Sequence, residues 1–504
     1  MTLLAKMLGG SLHGTSDFLR WYVEHPEGLR RTGRVVMLLA GGATIGVTMH
    51  GAYCSSRSRH SARIAGLVLL GMPLFHHASL FIKEDIWAAL FGAAALTLAL
   101  TRKNALWVGG LLGVAIAAKY TAVGLLPGLA LLVAANSCAD GISLRALALS
   151  CTRLALAAGV AFALLNPYFL IHLKAAIQQI QIINSEYMRG QQLGAGITPP
   201  LLAGSVIGEF IPFDIGIAAI LAVVAGLAQR NRLPRASWWA LMMGPLTVIV
   251  LVGACRAGFP RSLTVVLPWI AVLAGLTWPR LTGRPILVRA LPAVLFILLG
   301  VFQVSSLYRY MAAPDTRELA ANFVEQNIPS DSVVLCEGLH DQVPDEGITL
   351  RPNLRSLIES QNVVAARRGS GMLSQIEREV AASGGLARFD ILGEKDFGIG
   401  GSEELKRADV VVTATWLSPF PDAREYNLSG ASTLPAVADY DRRRALFFQA
   451  LDGQGFRLAR TFKPSLASRW SFIDRPDPKV LYVDQWLSKQ NPLPAQPEAK
   501  TAAS

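Results

Sequence analysis

The chain has 504 residues, of which 52% are hydrophobic and 16% are charged, and its mean hydropathy is +0.40. This composition is too apolar for a soluble protein of this length, so we predict a membrane protein. The net charge of +12 does not indicate a nucleic-acid partner, because much of the basic excess lies in short loops between apolar runs, where basic residues set membrane topology.

Apolar segments that could cross a bilayer recur between Arg34 and Ser306. A bilayer core takes about 20 apolar residues per helix and sometimes about 17, which gives about ten candidate spans. The fourth and fifth candidates are short and share the sequence AAKYTAV, which predicts either a helical hairpin or one broken helix. The candidate spans are Arg34–Tyr53, Ile64–Ser79, Ile86–Thr101, Ala105–Ala118, Tyr120–Ala135, Leu154–His172, Ile211–Ala228, Trp238–Ala254, Leu263–Trp278 and Ala290–Ser306.

The basic residues between these spans form two sets in alternating loops. The larger set is Arg57, Arg59, Arg63, Arg102, Lys103, Arg145, Arg153, Arg230, Arg232, Arg235, Arg280, Arg284 and Arg289. The smaller set is Lys83, Lys119, Lys174, Arg189, Arg256 and Arg261. Because cytoplasmic loops carry the excess of Lys and Arg, the smaller set is predicted to lie outside the cytoplasmic membrane.

The chain changes character after Ser306. The stretch DTRELAANFVEQN predicts a capped amphipathic helix, and SVVLC, ADVVVTAT and KVLYVD predict strands. We therefore predict a soluble extracytoplasmic α/β domain at residues 309–488 and a disordered Pro/Ala-rich tail at 489–504. The transmembrane helical domain is predicted at residues 34–308, and residues 1–33 are predicted to be the remnant of an external loop.

The segment KED, Lys83–Asp85, interrupts an apolar stretch at the mouth of a predicted helix. Asp85 could cap that helix while Lys83 extends along the membrane interface, which is a purely structural interpretation. A carboxylate at the outer interface could also act on a substrate whose head group lies there. The two interpretations are compatible, so we predict Asp85 as the catalytic residue, with Lys83, Glu84 and His77 as substrate-binding residues.

Three further basic residues are candidates for binding phosphate. Lys119 lies between two apolar runs and would cost about 2.5–3.5 kcal/mol at mid-bilayer, so it must reach an interface or meet an anion. Arg256 and Arg261 border a span that contains Pro268, and arginine matches phosphate in a bidentate geometry. Anchoring of the helices at the membrane interface would explain the positions of these three basic residues equally well. The adjacent histidines His76 and His77 have no spaced partner and do not indicate a metal site.

Several motifs in one order resemble a known family. KEDIWAALFGAAALTLAL is followed by TRKN, WVGGLLGVAIAAKYTAVGLLPGLALL, NPYF and FPRSLTVVLP. This order resembles the bacterial dolichyl-phosphate-mannose-protein mannosyltransferase-like superfamily, which includes the lipid A aminoarabinose transferases. The resemblance covers about Arg34–Ser306 and the opening of the C-terminal region. It implies a GT-C-like fold, which is a multi-spanning α-helical membrane protein with a C-terminal soluble α/β domain.

The same resemblance implies a hexosyl or pentosyl glycosyltransferase. The donor would be a polyprenyl-phosphate sugar in the lipid bilayer, and the acceptor would be a glycan, a lipid or a protein at the outer face of the cytoplasmic membrane. Asp85 would take the family's second acidic position, Lys119 its lysine, and Arg261 the arginine before the proline-containing span. The resemblance implies no certain cofactor and leaves the need for a divalent metal open.

The sequence departs from the family pattern at its start. The family's principal acid lies in a long first external loop after a first transmembrane helix, and neither feature is found before Arg34. Asp17 is the nearest substitute for that acid. We therefore expect a start-truncated or catalytically degenerate member of the family.

Two other classes of function stay open at this point. A transporter or flippase of a lipid-linked precursor would also need many spans and intramembrane charges, although the sequence shows no repeated halves. A non-catalytic membrane scaffold whose outer domain binds partners is the second alternative.

Overall fold

A computed structural model of the chain shows apolar helices in the N-terminal part and a sheet in the C-terminal part. It describes residues 26–102, 104–137, 144–178, 180–181, 216, 235–253, 260–277, 294, 297–305, 308, 316–329, 332–337, 390–394, 402–414, 446, 449–462 and 483–487. The chain divides into two compact units, a helical one within Arg30–Tyr310 and a sheet-containing one within Met311–Ala467 and Arg475–Ser504.

Within the described residues, the helical unit contains apolar α-helices and two 3₁₀ helices. Its α-helices are α1 (Pro26–Ser56), α2 (Arg59–Leu70), α3 (Pro73–Leu80), α4 (Asp85–Leu100), α5 (Ala105–Ala118), α6 (Leu126–Ser137), α7 (Leu144–Leu165), α8 (Pro167–Ile171), α9 (Arg235–Gly253) and α10 (Leu267–Thr277). The 3₁₀ helix Tyr120–Leu125 precedes α6, and the 3₁₀ helix Pro260–Val266 precedes α10. Residues 297–305 are also helical.

Two of the described helices, Arg31–Ser56 and Leu144–Leu165, are long and apolar enough to cross a membrane, and the bent pair α2–α3 would make a third. Shorter apolar helices of 10–17 residues make up most of the rest of the unit. Large apolar side chains point outward, with Leu39 69% and Leu164 76% exposed. Such surfaces suit lipid better than water. The prediction of a helical membrane protein is therefore confirmed.

Helix α4 is largely enclosed by protein. Ile86, Ala89, Ala95 and Ala99 are fully buried in it. It packs against α5, α10 and the 3₁₀ helix Pro260–Val266, and α1 runs alongside it, where Thr97 Oγ1 donates a hydrogen bond of 3.1 Å to the Val47 carbonyl. Because protein covers α4 along its length, its first turn also lies inside the unit.

The sequence AAKYTAV forms the turn of a helical hairpin. Helix α5 starts four residues after α4 ends, and Lys119 at its far end contacts Asp85 at the start of α4. The chain then returns, and Asn136 Nδ2 donates a hydrogen bond of 2.7 Å to the Ala99 carbonyl near the other end of α4. Helix α5 and the segment Tyr120–Ser137 therefore run in opposite directions, which excludes a single broken helix.

The described members of the two basic sets lie at opposite ends of this arrangement. Arg57 and Arg102 directly follow α1 and α4, whereas Lys119 lies beside the first residue of α4. The sequence-based division into two sets is therefore confirmed for these residues. Which end faces the outside of the cytoplasmic membrane stays a prediction.

One predicted span has a different shape in the structure. Ile64–Ser79 was expected to be one helix but consists of α2 and α3, which are bent by 70° at a break where Pro73 starts the second helix. Proline favours the first turn of a helix and cannot continue the preceding helix without loss of a backbone hydrogen bond.

Two further spans have different ends. Leu154–His172 is wrong at both ends, because α7 begins at Leu144 and stops at Leu165, before Asn166 and Pro167. Leu263–Trp278 begins earlier than predicted, as a 3₁₀ helix from Pro260. Except for Gly216, the predicted span Ile211–Ala228 lies outside the described residues.

The second unit contains a five-stranded mixed sheet with the strand order β2-β1-β3-β5-β4. Strand β1 pairs in parallel with β2 and β3, while β5 pairs antiparallel with β3 and β4. The elements are α11 (Thr316–Asn327), β1 (Val333–Glu337), β2 (Asp390–Glu394), α12 (Ser402–Arg407), β3 (Val410–Ala414), β4 (Arg457–Phe462) and β5 (Val483–Leu487). A small core that includes Leu335, Val411 and Leu451 lies beneath the sheet.

The predicted elements of this region are found in part. The amphipathic helix and the strands at SVVLC and ADVVVTAT are present, whereas β2 and β4 were not predicted. Of the strand expected at KVLYVD, Val483 and Asp484 form the start of β5, and the earlier residues lie outside the described residues. The extent of one domain over residues 309–488, its extracytoplasmic position and the other predicted boundaries stay predictions.

The close packing of α5 on α7 gives a test of the helical unit. A Cβ atom added at Gly109 would lie 2.6 Å from the Leu154 carbonyl oxygen, whereas one added at Gly110 would have nothing within 4 Å. Gly109→Ala should therefore lower the free energy of unfolding by about 1–3 kcal/mol through overpacking. Gly110→Ala should leave it unchanged or raise it by about 0.5–1 kcal/mol. Thermal unfolding in detergent measures both, and equal midpoints for the two variants would contradict this packing.

Candidate active site

An ion pair is buried at the start of α4. Lys119 Nζ donates a hydrogen bond to Asp85 Oδ1, and the two residues are only 9% and 3% exposed. Both side chains are therefore largely removed from water. Because a buried charge is costly unless it is paired, this contact is a requirement of the fold at this point.

Local structure brings each partner to this position. Asp85 is the first residue of α4, and Lys119 is the residue at which α5 stops. Lys119 has an extended backbone, with φ −150° and ψ 119°, and its N–H still bonds to the Ala115 carbonyl at 2.8 Å. The extended residue ends the α-helix and turns the chain into the next segment. The two charges therefore meet where one helix begins and another ends.

Asp85 does not have the capping role that the sequence suggested. The helix begins at Asp85 instead of Ile86, and the residue before it is Glu84, whose side chain makes no capping hydrogen bond. The Asp85 carboxylate accepts a hydrogen bond from Lys119. Lys83 and Glu84 are exposed, whereas Asp85 is buried within the protein.

Arg261 brings a second cation to the same end of the unit. It belongs to the 3₁₀ helix Pro260–Val266, which packs on α4 so that Val265 would lie 3.4 Å from a Cβ added at Gly92. Thr264 Oγ1 donates a hydrogen bond of 2.7 Å to the Arg261 carbonyl, which holds this turn. Arg261 interacts electrostatically with both Asp85 and His77.

The two adjacent histidines have different surroundings. His77 is buried, stacks on Phe81 with ring centroids 4.2 Å apart, and interacts electrostatically with Asp85. His76 Nε2 lies 2.7 Å from the Leu70 carbonyl oxygen, and its Nδ1 lies 3.4 Å from the Tyr308 hydroxyl. His77 therefore belongs to the site, whereas His76 stabilises the bend between α2 and α3.

Five of the predicted site residues thus lie at one end of α4 in the structure. Asp85, Lys119, Arg261 and His77 form a cluster, which we call the charged cluster, and Lys83 interacts electrostatically with its His77. Glu84 is exposed next to Asp85 in the chain. Arg256 and Asp17 lie outside the described residues.

The sequence reading missed Thr121, which lies two residues after Lys119. Its Oγ1 atom is buried, and the structure gives it no hydrogen-bond partner among the residues it describes. The spacing K-Y-T was the only signal of it in the sequence, and threonine is too common in membrane helices for that spacing to indicate a site.

The charged cluster can perform two kinds of chemistry. The Asp85 carboxylate can accept a proton from a substrate group, and the Lys119 and Arg261 side chains can bind a phosphate anion. Within the described part of the chain, no three His, Cys, Asp or Glu side chains are grouped so that they could hold a metal ion.

Comparisons with protein-family models and with curated proteins give no match to this chain. Among solved structures, it is similar to ArnT from Cupriavidus metallidurans, both bound to undecaprenyl phosphate (14% identity, TM-score 0.42) and in the apo state (15%, 0.43). Each match covers 90% of this chain and 83% of that chain.

The archaeal oligosaccharyltransferase AglB from Archaeoglobus fulgidus, in complex with an inhibitory peptide and a dolichol-phosphate, is similar over 90% of this chain and 66% of that chain, with 12% identity and a TM-score of 0.40. At TM-scores below 0.5, these similarities are too distant to assign a family, a fold or a function to this chain.

The buried ion pair predicts how substitutions of Lys119 and Asp85 change the stability of the protein. Lys119→Met should lower the free energy of unfolding by about 3–5 kcal/mol, because it leaves the Asp85 carboxylate buried without its partner. The double variant Asp85→Asn/Lys119→Met should recover most of that loss, since no charge is then left unpaired. Thermal unfolding in detergent distinguishes these cases. Equal destabilisation of the single and double variants would show that the pairing itself is not what matters.

Proposed function

We propose that this chain is a membrane glycosyltransferase that moves a sugar from a polyprenyl-phosphate donor to an acceptor at the outer face of the cytoplasmic membrane. The observation that carries this proposal is the charged cluster, in which a buried carboxylate and two cations meet at one end of an apolar helical unit. The sequence motifs KEDIWAALF, AAKYTAV and FPRSLTVVLP, whose order resembles a family of such enzymes, contribute Asp85, Lys119 and Arg261 to this cluster.

The cluster suits both halves of a glycosyl transfer. The acceptor must lose a proton, and Asp85 is the carboxylate placed to accept it. A new bond then forms between the acceptor atom and the anomeric carbon of the sugar, while the bond from that carbon to the phosphate oxygen breaks. The electron pair of the broken bond stays on the polyprenyl phosphate, where the positive charges of Lys119 and Arg261 would stabilise it.

The burial of the cluster also suits a lipid-linked donor. A polyprenyl chain stays in the bilayer, so its phosphate is presented to a site at the end of membrane helices. Within a largely water-excluded site, cations stabilise a phosphate more strongly than they do in water. We further propose a GT-C-like fold, a hexosyl or pentosyl donor, and an acceptor that is a glycan, a lipid or a protein. Lys83 and Glu84 would contact that acceptor from outside the membrane.

Loss of the carboxylate should slow the reaction beyond any effect on folding. Asp85→Asn leaves Lys119 buried without its charged partner, so transfer is compared per amount of folded protein. Asp85→Asn keeps the size of the side chain, and we expect it to lower kcat for sugar transfer at least about tenfold, because a positioned acid–base group typically contributes about 10²–10⁴-fold. Transfer of radiolabelled sugar from a polyprenyl-phosphate donor in membranes measures this. Asp452→Asn makes the same chemical change at an exposed position of the other unit and should transfer at the wild-type rate. Wild-type transfer by Asp85→Asn would exclude the proposed role.

Loss of the second cation should affect the donor more than the acceptor. Arg261→Gln removes a charge that interacts with Asp85, and we expect the KM for the donor to rise about tenfold with little change in the KM for the acceptor. Arg59→Gln, an exposed change at the start of α2, is the matched control.

Movement of a labelled polyprenyl-phosphate sugar across vesicle membranes without any sugar transfer would instead favour a transporter.

A further inference from the structure

Thr121 places a buried hydroxyl beside the charged cluster. It is the second residue of the 3₁₀ helix Tyr120–Leu125, which directly follows Lys119. Its Oγ1 is buried without a hydrogen-bond partner among the described residues. Most buried hydroxyls in folded proteins have a partner, so this one requires an explanation.

The turn directs its polar groups inward. Tyr120 is 62% exposed, whereas Lys119 and the hydroxyl of Thr121 on either side of it are buried. The inward direction of both groups means that Thr121 is not a surface residue whose hydroxyl bonds to solvent. The hydroxyl must therefore meet something inside the unit.

The geometry of the 3₁₀ helix shows which neighbours Thr121 faces. Residues three apart lie on one face of such a helix, so Thr121 shares its face with Gly124. A Cβ added at Gly124 would lie 2.7 Å from Val248 in α9, and one added at Gly128 would lie 2.7 Å from the Ala240 carbonyl. Gly124 thus contacts α9 closer to its C-terminal end than Gly128 does.

One turn before Gly124, Thr121 therefore lies near the last turn of α9, which ends at Gly253. The chain re-enters the described structure at Pro260, and the 3₁₀ helix Pro260–Val266 contacts both α9 and the 3₁₀ helix of Thr121. Arg261 belongs to that segment. The turn that carries Thr121 therefore directly follows Lys119 and contacts the segment that carries Arg261.

We propose that the Thr121 hydroxyl donates a hydrogen bond to the donor phosphate, alongside Lys119 and Arg261. This inference rests on the proposed function and names a further residue that positions its substrate. A phosphate has more oxygens than two cations satisfy, and a hydroxyl next to them supplies the additional donor. The neighbouring cations favour the phosphate over an uncharged sugar hydroxyl as the partner of Thr121.

Binding of undecaprenyl phosphate to the detergent-purified full chain tests this inference, with undecaprenol as the probe that lacks the phosphate. Thr121→Val keeps the shape of the side chain, and we expect it to weaken binding of undecaprenyl phosphate about tenfold while binding of undecaprenol stays unchanged. Thr121→Ser, which keeps the hydroxyl, should bind within about twofold of wild type. Because the Thr121 hydroxyl has no hydrogen-bond partner to lose within the described part of the chain, Thr121→Val should not lower the thermal unfolding midpoint.

Thr44→Val is the matched control. Thr44 is a buried threonine in α1 whose Oγ1 donates a hydrogen bond of 2.8 Å to the Ala40 carbonyl. It should bind undecaprenyl phosphate as wild type does, so that any general effect of removing a buried hydroxyl is accounted for.

Three outcomes would count against the proposals in different ways. Equal binding of undecaprenyl phosphate by wild type and Thr121→Val would overturn the inference and leave the proposed function intact. Weakened binding that Thr121→Ser does not restore, together with a lower unfolding midpoint, would assign Thr121 a structural role and also overturn it. A folded wild-type protein that binds undecaprenol as well as undecaprenyl phosphate would contradict the proposed function itself.

Discussion

The helical unit depends on one contact, the buried ion pair between Asp85 and Lys119. Neither charge could lie where it does alone, because an unpaired ion in an apolar interior costs several kcal/mol. The pair therefore requires that the start of α4 and the end of α5 lie side by side. With α4 and α5 joined by a short turn at their other ends, this requirement defines an antiparallel pair of helices and the hairpin that follows.

The two ends of the hairpin differ in the charge of the groups that meet there. At one end Asn136 and Ala99 share a neutral hydrogen bond, and at the other end the contact is between full charges. The walls between these ends are apolar. A polar substrate group would therefore find a buried carboxylate together with cations at the end of the charged cluster, which is the end where we propose that the chemistry occurs.

The composition of the charged cluster argues against a purely structural ion pair. One lysine is sufficient to balance one aspartate, yet a separate segment of the chain brings Arg261 to the same place, and His77 is buried within electrostatic range. A stabilising pair needs neither of these residues. Groups that come together from distant parts of the chain and exceed what the fold requires are typical of sites where charge matters for function.

The sequence by itself determined the membrane character of the chain, the approximate positions of its helices and most residues of the candidate site. These features could be predicted because each depends on local composition. An apolar segment can be recognised from its own residues, and Asp85 and Lys119 can be recognised because each is a charged residue that interrupts an apolar segment. The strand at ADVVVTAT could be found for the same reason.

Only the tertiary structure decided that Asp85 binds Lys119 instead of capping its helix, that AAKYTAV is a hairpin, and that His77 and His76 have different roles. It also decided that Thr121 has a buried hydroxyl. Each of these depends on contacts between segments far apart in the chain, and the apolar side chains that bring those segments together carry no pattern that specifies which neighbour each helix will meet.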